Sequence, residues 1–154
     1  MAHAFRLGTA SVLALLLAVP VPAQDRAVTY SLFGTPGLLE MPSALSADEG
    51  EIAGTVGYFG GQLRNSFTFQ ITPRLSGTFR YSGIQDYSTT GDLWDRSFDL
   101  RYRFNDEGVY VPMIAVGLQD FLGTGIYSGE YVVATKTVGD AVRLTAGLGW
   151  GRLG

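Results

Sequence analysis

The chain has 154 residues, 11 Lys and Arg against 14 Asp and Glu, a formal charge of -3 and only 16% charged residues, a mildly acidic balance without the basic field that binds nucleic acid. It contains no cysteine, and its single histidine, His3, falls in the segment read below as a cleaved signal peptide, so disulfides, thiol nucleophiles, Ser-His-Asp triads and ordinary zinc sites have no residues to build them. Glycine at 21 residues and aromatics at 12%, with no long helical period after the first two dozen residues, point to an all-β chain.

Residues 1–23 read as a signal peptide. Arg6 precedes an apolar run over 10–19, too short to span a bilayer as a helix, and Val21 and Ala23 place cleavage just before Gln24. Residues 24–50 read as an irregular periplasmic lead-in, because Pro36 and Pro42 within FGTPGLLEMPSA (33–44) forbid a central strand and interrupt any helix. From residue 51 to 154 the spacing of strand-like segments and turn chemistry predicts an antiparallel up-and-down meander of about seven strands: 51–60, 64–71, 75–83, 94–104, 110–122, 130–138 and 141–150.

The segment 97–104, Ser-Phe-Asp-Leu-Arg-Tyr-Arg-Phe, shows the pattern most clearly. Successive side chains of a strand point to opposite faces, so Phe98, Leu100, Tyr102 and Phe104 form an apolar stripe opposite Ser97, Asp99, Arg101 and Arg103. Phe67, Phe69 and Ile71 alternate likewise with Ser66, Thr68 and Gln70, and Val142, Leu144, Ala146, Leu148 and Trp150 alternate with Arg143, Thr145, Gly147 and Gly149. Such strands suit a soluble sandwich with the apolar face inward, or an outer-membrane barrel with that face toward lipid. Connections expected to be tight at 72–74, 105–109 and 139–140, and longer at 84–93 and 123–129, favour the barrel, with the longer loops outside and the lead-in on the periplasmic side. The short 61–63 connection departs from that alternation, and Arg96 lies on the otherwise apolar face, near enough to the outer loop to reach lipid headgroups.

No constellation demands catalysis, a cofactor or a metal. Asp86, Asp92, Asp95, Asp99, Asp120 and Glu130 supply enough carboxylates for a glycosidase, but solvated loop acids and lumen ion pairs explain them more simply. Residues 86–95 lack the regular ligand series of an EF-hand, and Gly-Thr-Gly at 123–125 is followed by no helix that would make a phosphate cradle. Arg80, Asp99, Arg101, Arg103 and Arg143 on the polar strand faces are the candidate glycan contacts, with mutual ion pairing among Asp99, Glu130 and the arginines as the alternative.

The stretches FGTPGLLEMPSA (33–44), TFQITPRLSGTFRYSG (68–83), DRSFDLRYRFNDEG (95–108), VGLQDFLGTGIYSGEYVVATK (116–136) and GLGWGRLG (147–154) together resemble the YjbH family. That resemblance implies an outer-membrane β-barrel taking part in exopolysaccharide biosynthesis or export, with outer-membrane lipid, polysaccharide and other secretion proteins as partners and no catalytic residues to carry over. Some family members are lipoproteins, whereas this chain has no cysteine to acylate; members are also several times longer, and seven strands leave an open edge in lipid. The expectation is therefore an N-terminal fragment carrying an incomplete barrel. The competing expectation is a soluble periplasmic or secreted β-sandwich that binds or trims glycans.

Overall fold

A computed structural model describes residues 27–88, 91–139 and 142–154. The expected signal peptide lies outside the described residues, as do positions 89–90 and 140 within two of the expected connections and position 141 at the start of the last expected strand. The described residues contain no helix and form two sheets. A small hairpin pairs β1 (Gly37–Leu38) with β2 (Met41–Pro42) inside the lead-in. The principal sheet is a seven-stranded antiparallel meander in sequential order: β3 (Ile52–Phe59), β4 (Gln62–Gln70), β5 (Leu75–Ser88), β6 (Gly91–Arg103), β7 (Met113–Gly123), β8 (Gly129–Val138) and β9 (Val142–Gly151). The expected strand count and topology are therefore observed.

The sheet is curled into a half-barrel with β3 and β9 at its edges. Phe33 of the lead-in lies 4.1 Å from the Arg64 guanidinium of β4 and 3.7 Å from that of Arg152 beyond β9, so the inner face brings the two sides of the sheet close together. This inner face is the polar one. Arg80 and Ser97 are 0% exposed, while Val56 at 75% and Leu148 at 70% stand on the opposite side. Strand β6 alternates between buried Asp95, Ser97, Asp99 and Arg101 and exposed Trp94, Arg96, Phe98, Leu100 and Tyr102, as the period of two requires.

Two connections differ from expectation. Residues 84–93 form no long loop: β5 and β6 continue to a Ser88–Gly91 pair across a register shift. Asp86 takes a positive φ of 51° there and donates its N–H to Asp92 Oδ1 at 3.1 Å, within a bulge that sets residues 85–87 against Asp92 alone before the ladder goes on. Conversely, no strand begins at Tyr110, which is exposed. Pro112 has no N–H to offer a ladder, and the Asn105 side chain bonds the carbonyl of Pro112 and the amide of Ile114, holding residues 104–112 as the long connection. The expected alternation of tight turns on one rim with long loops on the other is therefore not observed. The β3–β4 connection is the two-glycine turn Gly60-Gly61, both at positive φ, a geometry that suits the strand twist.

The lead-in does not stop at a rim; it folds into the concavity and back out. Tyr30 bonds Glu51 at the start of β3, Phe33 reaches the far end of the sheet, and Ala44 returns to donate its N–H to Thr135 Oγ1 at 2.9 Å. Both apolar clusters depend on it: Ala44 and Leu45 pack with Met113, Ala115, Tyr131 and Val133, and Phe33 packs with Ile84 and Tyr127. Gly34, at φ 82°, is required for this seating, since a Cβ there would stand 2.4 Å from Ser66 Cβ. Ser66 and Arg80 donate to the Phe33 carbonyl, and Arg101 donates to the carbonyls of Ser43 and Leu45. Arg80 is also ion-paired with Asp99, both fully enclosed.

Removing one partner of an enclosed ion pair strands the other charge, at a cost of about 3 to 5 kcal/mol. Asp99→Asn is accordingly expected to lower the unfolding free energy of the purified protein by that amount in a denaturant titration; a loss below about 1 kcal/mol would show that the pair is not what anchors the lead-in.

At the opposite rim from the Gly60-Gly61 turn, Glu107 accepts from Lys136 Nζ at 2.8 Å and from the Thr137 N–H at 2.7 Å. The Lys136 hydrogen bond, followed by that of Thr137, holds the Glu107 carboxyl below its ordinary 4.5. Because the folded value lies below the unfolded one, the stabilisation is complete above pH 4.5 and is lost as pH falls through the lower folded value. The stability advantage of the wild-type protein over Glu107→Gln should therefore be present at pH 7 and shrink in strongly acidic solution. An advantage independent of pH would contradict the assignment.

Candidate functional site

The polar concave face divides into a part that grips the lead-in and a part that keeps donors free. In the gripping part, Arg80 spends Nε on the Phe33 carbonyl at 3.1 Å, Nη1 on Ser97 Oγ at 3.0 Å and Nη2 on Asp99. Asp99 also accepts the Asp120 N–H at 2.9 Å, and Asp120 Oδ2 accepts that of Tyr127 at 3.0 Å. Asp120 reaches this face because β7 bulges opposite β6, with Asp120 at φ 52°, so that Gln119 and Asp120 are buried in succession.

The freer part is a cleft of about 430 Å³ at the rim formed by the β3–β4 and β7–β8 connections. It is lined by Phe33, Glu40, Phe59, Gln62, Arg64, Ile126, Tyr127 and Arg152, with Gly60 at the turn. Arg64 is 4% exposed; its Nη2 donates to Gln62 Oε1, which also accepts from the Tyr127 hydroxyl at 3.0 Å. Arg64 Nε and Nη1 make no hydrogen bond, although Nη1 lies 3.5 Å from the half-exposed Glu40 carboxylate. Arg152 donates Nη2 to Gln119 Oε1 at 2.8 Å and leaves Nε unpartnered. Burial pushes the Arg152 guanidinium below the usual arginine range; Glu40 opposes the shift, and Arg80 and Arg64 add to it. The three guanidiniums of Arg64, Arg80 and Arg152 all lie within 5.0 Å of the Phe33 ring centroid, and Tyr127 meets that ring edge-on at 5.5 Å.

Of the five candidate glycan contacts, Arg80, Asp99 and Arg101 come together beneath the lead-in, where their polar atoms are largely committed to it. Arg103 lies at the other rim, bonded to the Pro73 carbonyl at 3.1 Å and to Asp106 at 2.9 Å. Arg143 is on the edge strand β9 beside Thr29, Leu38 and Met41. Glu130 is exposed on the apolar side opposite Trp150, so it is not the ion-pair partner of the concave-face arginines that its position near the loop suggested.

The loop carboxylates are separated in the same way. Asp86 and Asp92 sit near the tip of the β5–β6 hairpin, while Asp95 is buried and accepts from Thr124 Oγ1 at 2.7 Å. Among the described residues no three His, Cys, Asp or Glu side chains are placed to hold a metal ion. Gly-Thr-Gly at 123–125 is the start of a turn closed by the Ser128 N–H on the Gly125 carbonyl at 3.1 Å.

The cleft residues escaped the sequence reading for two reasons. Arg64 and Gln62 share the even register of Ser66, Thr68 and Gln70, and extending that alternation backward finds them. Phe33, Glu40, Tyr127 and Arg152 come from irregular segments, whose placement depends on how the lead-in and the chain after β9 fold into the concavity.

Residues 29–154 match the family described as "Exopolysaccharide biosynthesis protein YbjH". The chain is also 37% identical over 134 residues to "Uncharacterized lipoprotein YjbH" of Escherichia coli (strain K12), an alignment covering 82% of this chain and 19% of that protein. The chain thus corresponds to about a fifth of the relative's length. No solved structure matches it. With the family match running from the lead-in through every strand of the half-barrel, the chain belongs to the YjbH family of exopolysaccharide biosynthesis proteins.

Proposed function

We propose that this chain is part of an outer-membrane β-barrel that takes part in exopolysaccharide biosynthesis or export without itself catalysing a reaction. The observation that carries the reading is the inversion of the sheet: Arg64, Arg80, Arg101, Asp95, Asp99 and the hydroxyls beside them are enclosed, and apart from the cluster under Ala44 and Leu45 most of its large aliphatic and aromatic residues face outward. A sandwich would turn the apolar face toward a second sheet, whereas among the described residues the covering segment lies on the polar face. A lipid-facing exterior accounts for the exposure of Ile52, Val56, Phe67, Leu100, Leu144 and Leu148 together, a larger apolar surface than soluble monomers ordinarily show.

The rims support the same reading. Tyr81 stacks on Trp94 at 5.4 Å, and the exposed Arg96 lies 5.9 Å from the Tyr81 ring, an arrangement suited to the headgroup boundary. Edges β3 and β9 pair, in this reading, with further strands of a longer protein, since backbone left open to hydrocarbon is strongly unfavourable. The Escherichia coli relative is named a lipoprotein. The proposed attachment of this part of the protein to the membrane runs through its strand faces.

Leu100→Lys separates the two environments. At mid-bilayer a lysine costs about 2 to 4 kcal/mol, whereas on a water-exposed surface such a change falls within about 0.5 kcal/mol. The full-length protein should be recovered from outer membranes with heat-modifiable migration, and the substitution should sharply reduce the folded, membrane-inserted fraction. A folded, detergent-independent protein unaffected by Leu100→Lys would refute the reading.

A further inference from the structure

The structure points to an acceptor site in the Arg64–Arg152 cleft for the carboxylate of an acidic sugar residue, and we propose that the protein engages an acidic rather than a neutral polysaccharide there. This rests on the exopolysaccharide reading above and adds the chemical class of the ligand. Two arginines line the cleft against one carboxylate, Glu40, while the nearby Arg80 is already neutralised by Asp99. The side chains that line the cleft therefore carry one more positive than negative charge, above the enclosed Asp99 and Asp120.

The donors are also in reserve. Arg64 is almost completely enclosed; its Nε has no hydrogen-bond partner and its Nη1 only the ion pair with Glu40, Arg152 Nε is likewise unpartnered, and all three atoms lie just beneath the cleft surface, so a carboxylate engages them as the guanidiniums turn outward. Donors left unmade in an enclosed site are costly, and a carboxylate accepting from the edge of a guanidinium removes that cost while supplying a charge-assisted, directional contact. Around the guanidiniums stand the exposed Phe59, the Ile126 side chain, the Gln62 amide and the Tyr127 hydroxyl. An apolar wall beside fixed polar groups suits a pyranose ring, which presents an apolar face and a rim of hydroxyls. A small inorganic anion would use the arginines alone and leave the wall bare. The volume of about 430 Å³ falls in the range of small-ligand sites, and the position at the rim allows a chain to pass on beyond the bound residue.

Glu40 gives the proposal an unusual handle. It stands 3.5 Å from Arg64 on the exposed side of the cleft, where an incoming carboxylate must compete with it. Neutralising Glu40 should strengthen the binding of an acidic sugar, an effect that misfolding does not imitate.

The test uses the full-length protein purified in detergent, with titration calorimetry of α-1,4-linked oligogalacturonate, of its carboxyl-reduced neutral counterpart and of inorganic phosphate. The acidic oligomer should bind at least roughly tenfold more tightly than either of the others. Arg152→Gln and Arg64→Gln should each weaken it by about tenfold or more, in line with the loss of a charge-assisted hydrogen bond. Glu40→Gln should tighten it by about two- to fivefold, and Arg74→Gln at the opposite rim should leave it unchanged. Equal binding of the acidic and neutral oligomers, equal binding of phosphate, or weaker binding by Glu40→Gln would overturn the proposal. Heat-modifiable migration of every variant separates the two failures: a barrel that inserts without binding the acidic oligomer defeats this site alone, while a protein that never inserts defeats the barrel reading.

Discussion

A sheet face that carries Arg64, Arg80 and Arg101 can be enclosed only if something accepts from their guanidiniums, and in this fold that demand falls largely on the main chain of the lead-in. The carbonyls of Phe33, Ser43 and Leu45 take donors from Arg80 and Arg101, and Asp99 supplies the opposite charge to Arg80. Desolvating a guanidinium is costly unless its charge and its donors are both met. The irregularity of the lead-in follows from this role. A helix would spend its carbonyls on itself and a regular strand would spend them on neighbouring strands, whereas a Gly- and Pro-interrupted path leaves several free to face the sheet.

Once the polar face is occupied, the apolar face has no inward partner among the described residues. Its aromatic and aliphatic side chains form the exterior of the half-barrel. The same division sets the two regions of the concavity apart. Beneath Ser43–Leu45 both terminal nitrogens of Arg101 are spent, with Nε left without a partner, and Thr135 and Tyr131 help close the packing. At the rim beyond Phe33, Arg64 and Arg152 line the cleft and keep unpartnered donors just beneath its surface. The β7 bulge at Asp120 contributes to both regions, since it carries Asp120 to the Asp99 side and Tyr127 to the cleft side.

The strands were legible because each is a long run of period two, with polar positions too regular to come from loops. The faces of β6 could be assigned residue by residue from Ser97 to Arg103. Turn chemistry was a poorer guide. Asp86, Asp92 and Gly91 resemble a loop in composition, yet positive φ at Asp86 and Gly91 accompanies a bulged hairpin there. Tyr110 and Val111 resemble a strand start, but Pro112 delays the ladder to Met113. Arg80, Asp99 and Arg101 were correctly grouped on one face. What occupies them was hidden, because contacts to Phe33, Ser43 and Leu45 join residues far apart in the chain and no local pattern encodes them. Half of the cleft was hidden for the same reason.

The central claim is that the outward stripe of β6 meets hydrocarbon while its neighbours face an enclosed polar interior. The cysteine-free chain allows a direct test by spin labels placed one at a time as Ser97→Cys, Phe98→Cys, Leu100→Cys, Tyr102→Cys and Arg103→Cys in the membrane-inserted full-length protein. Collision rates with molecular oxygen and with a water-soluble nickel complex report lipid and water contact. Oxygen accessibility should be high, and nickel accessibility low, at 98, 100 and 102, whereas both should be low at the enclosed position 97 and nickel should prevail at the rim position 103. High nickel accessibility at 98, 100 and 102 would place that stripe in water and contradict the account.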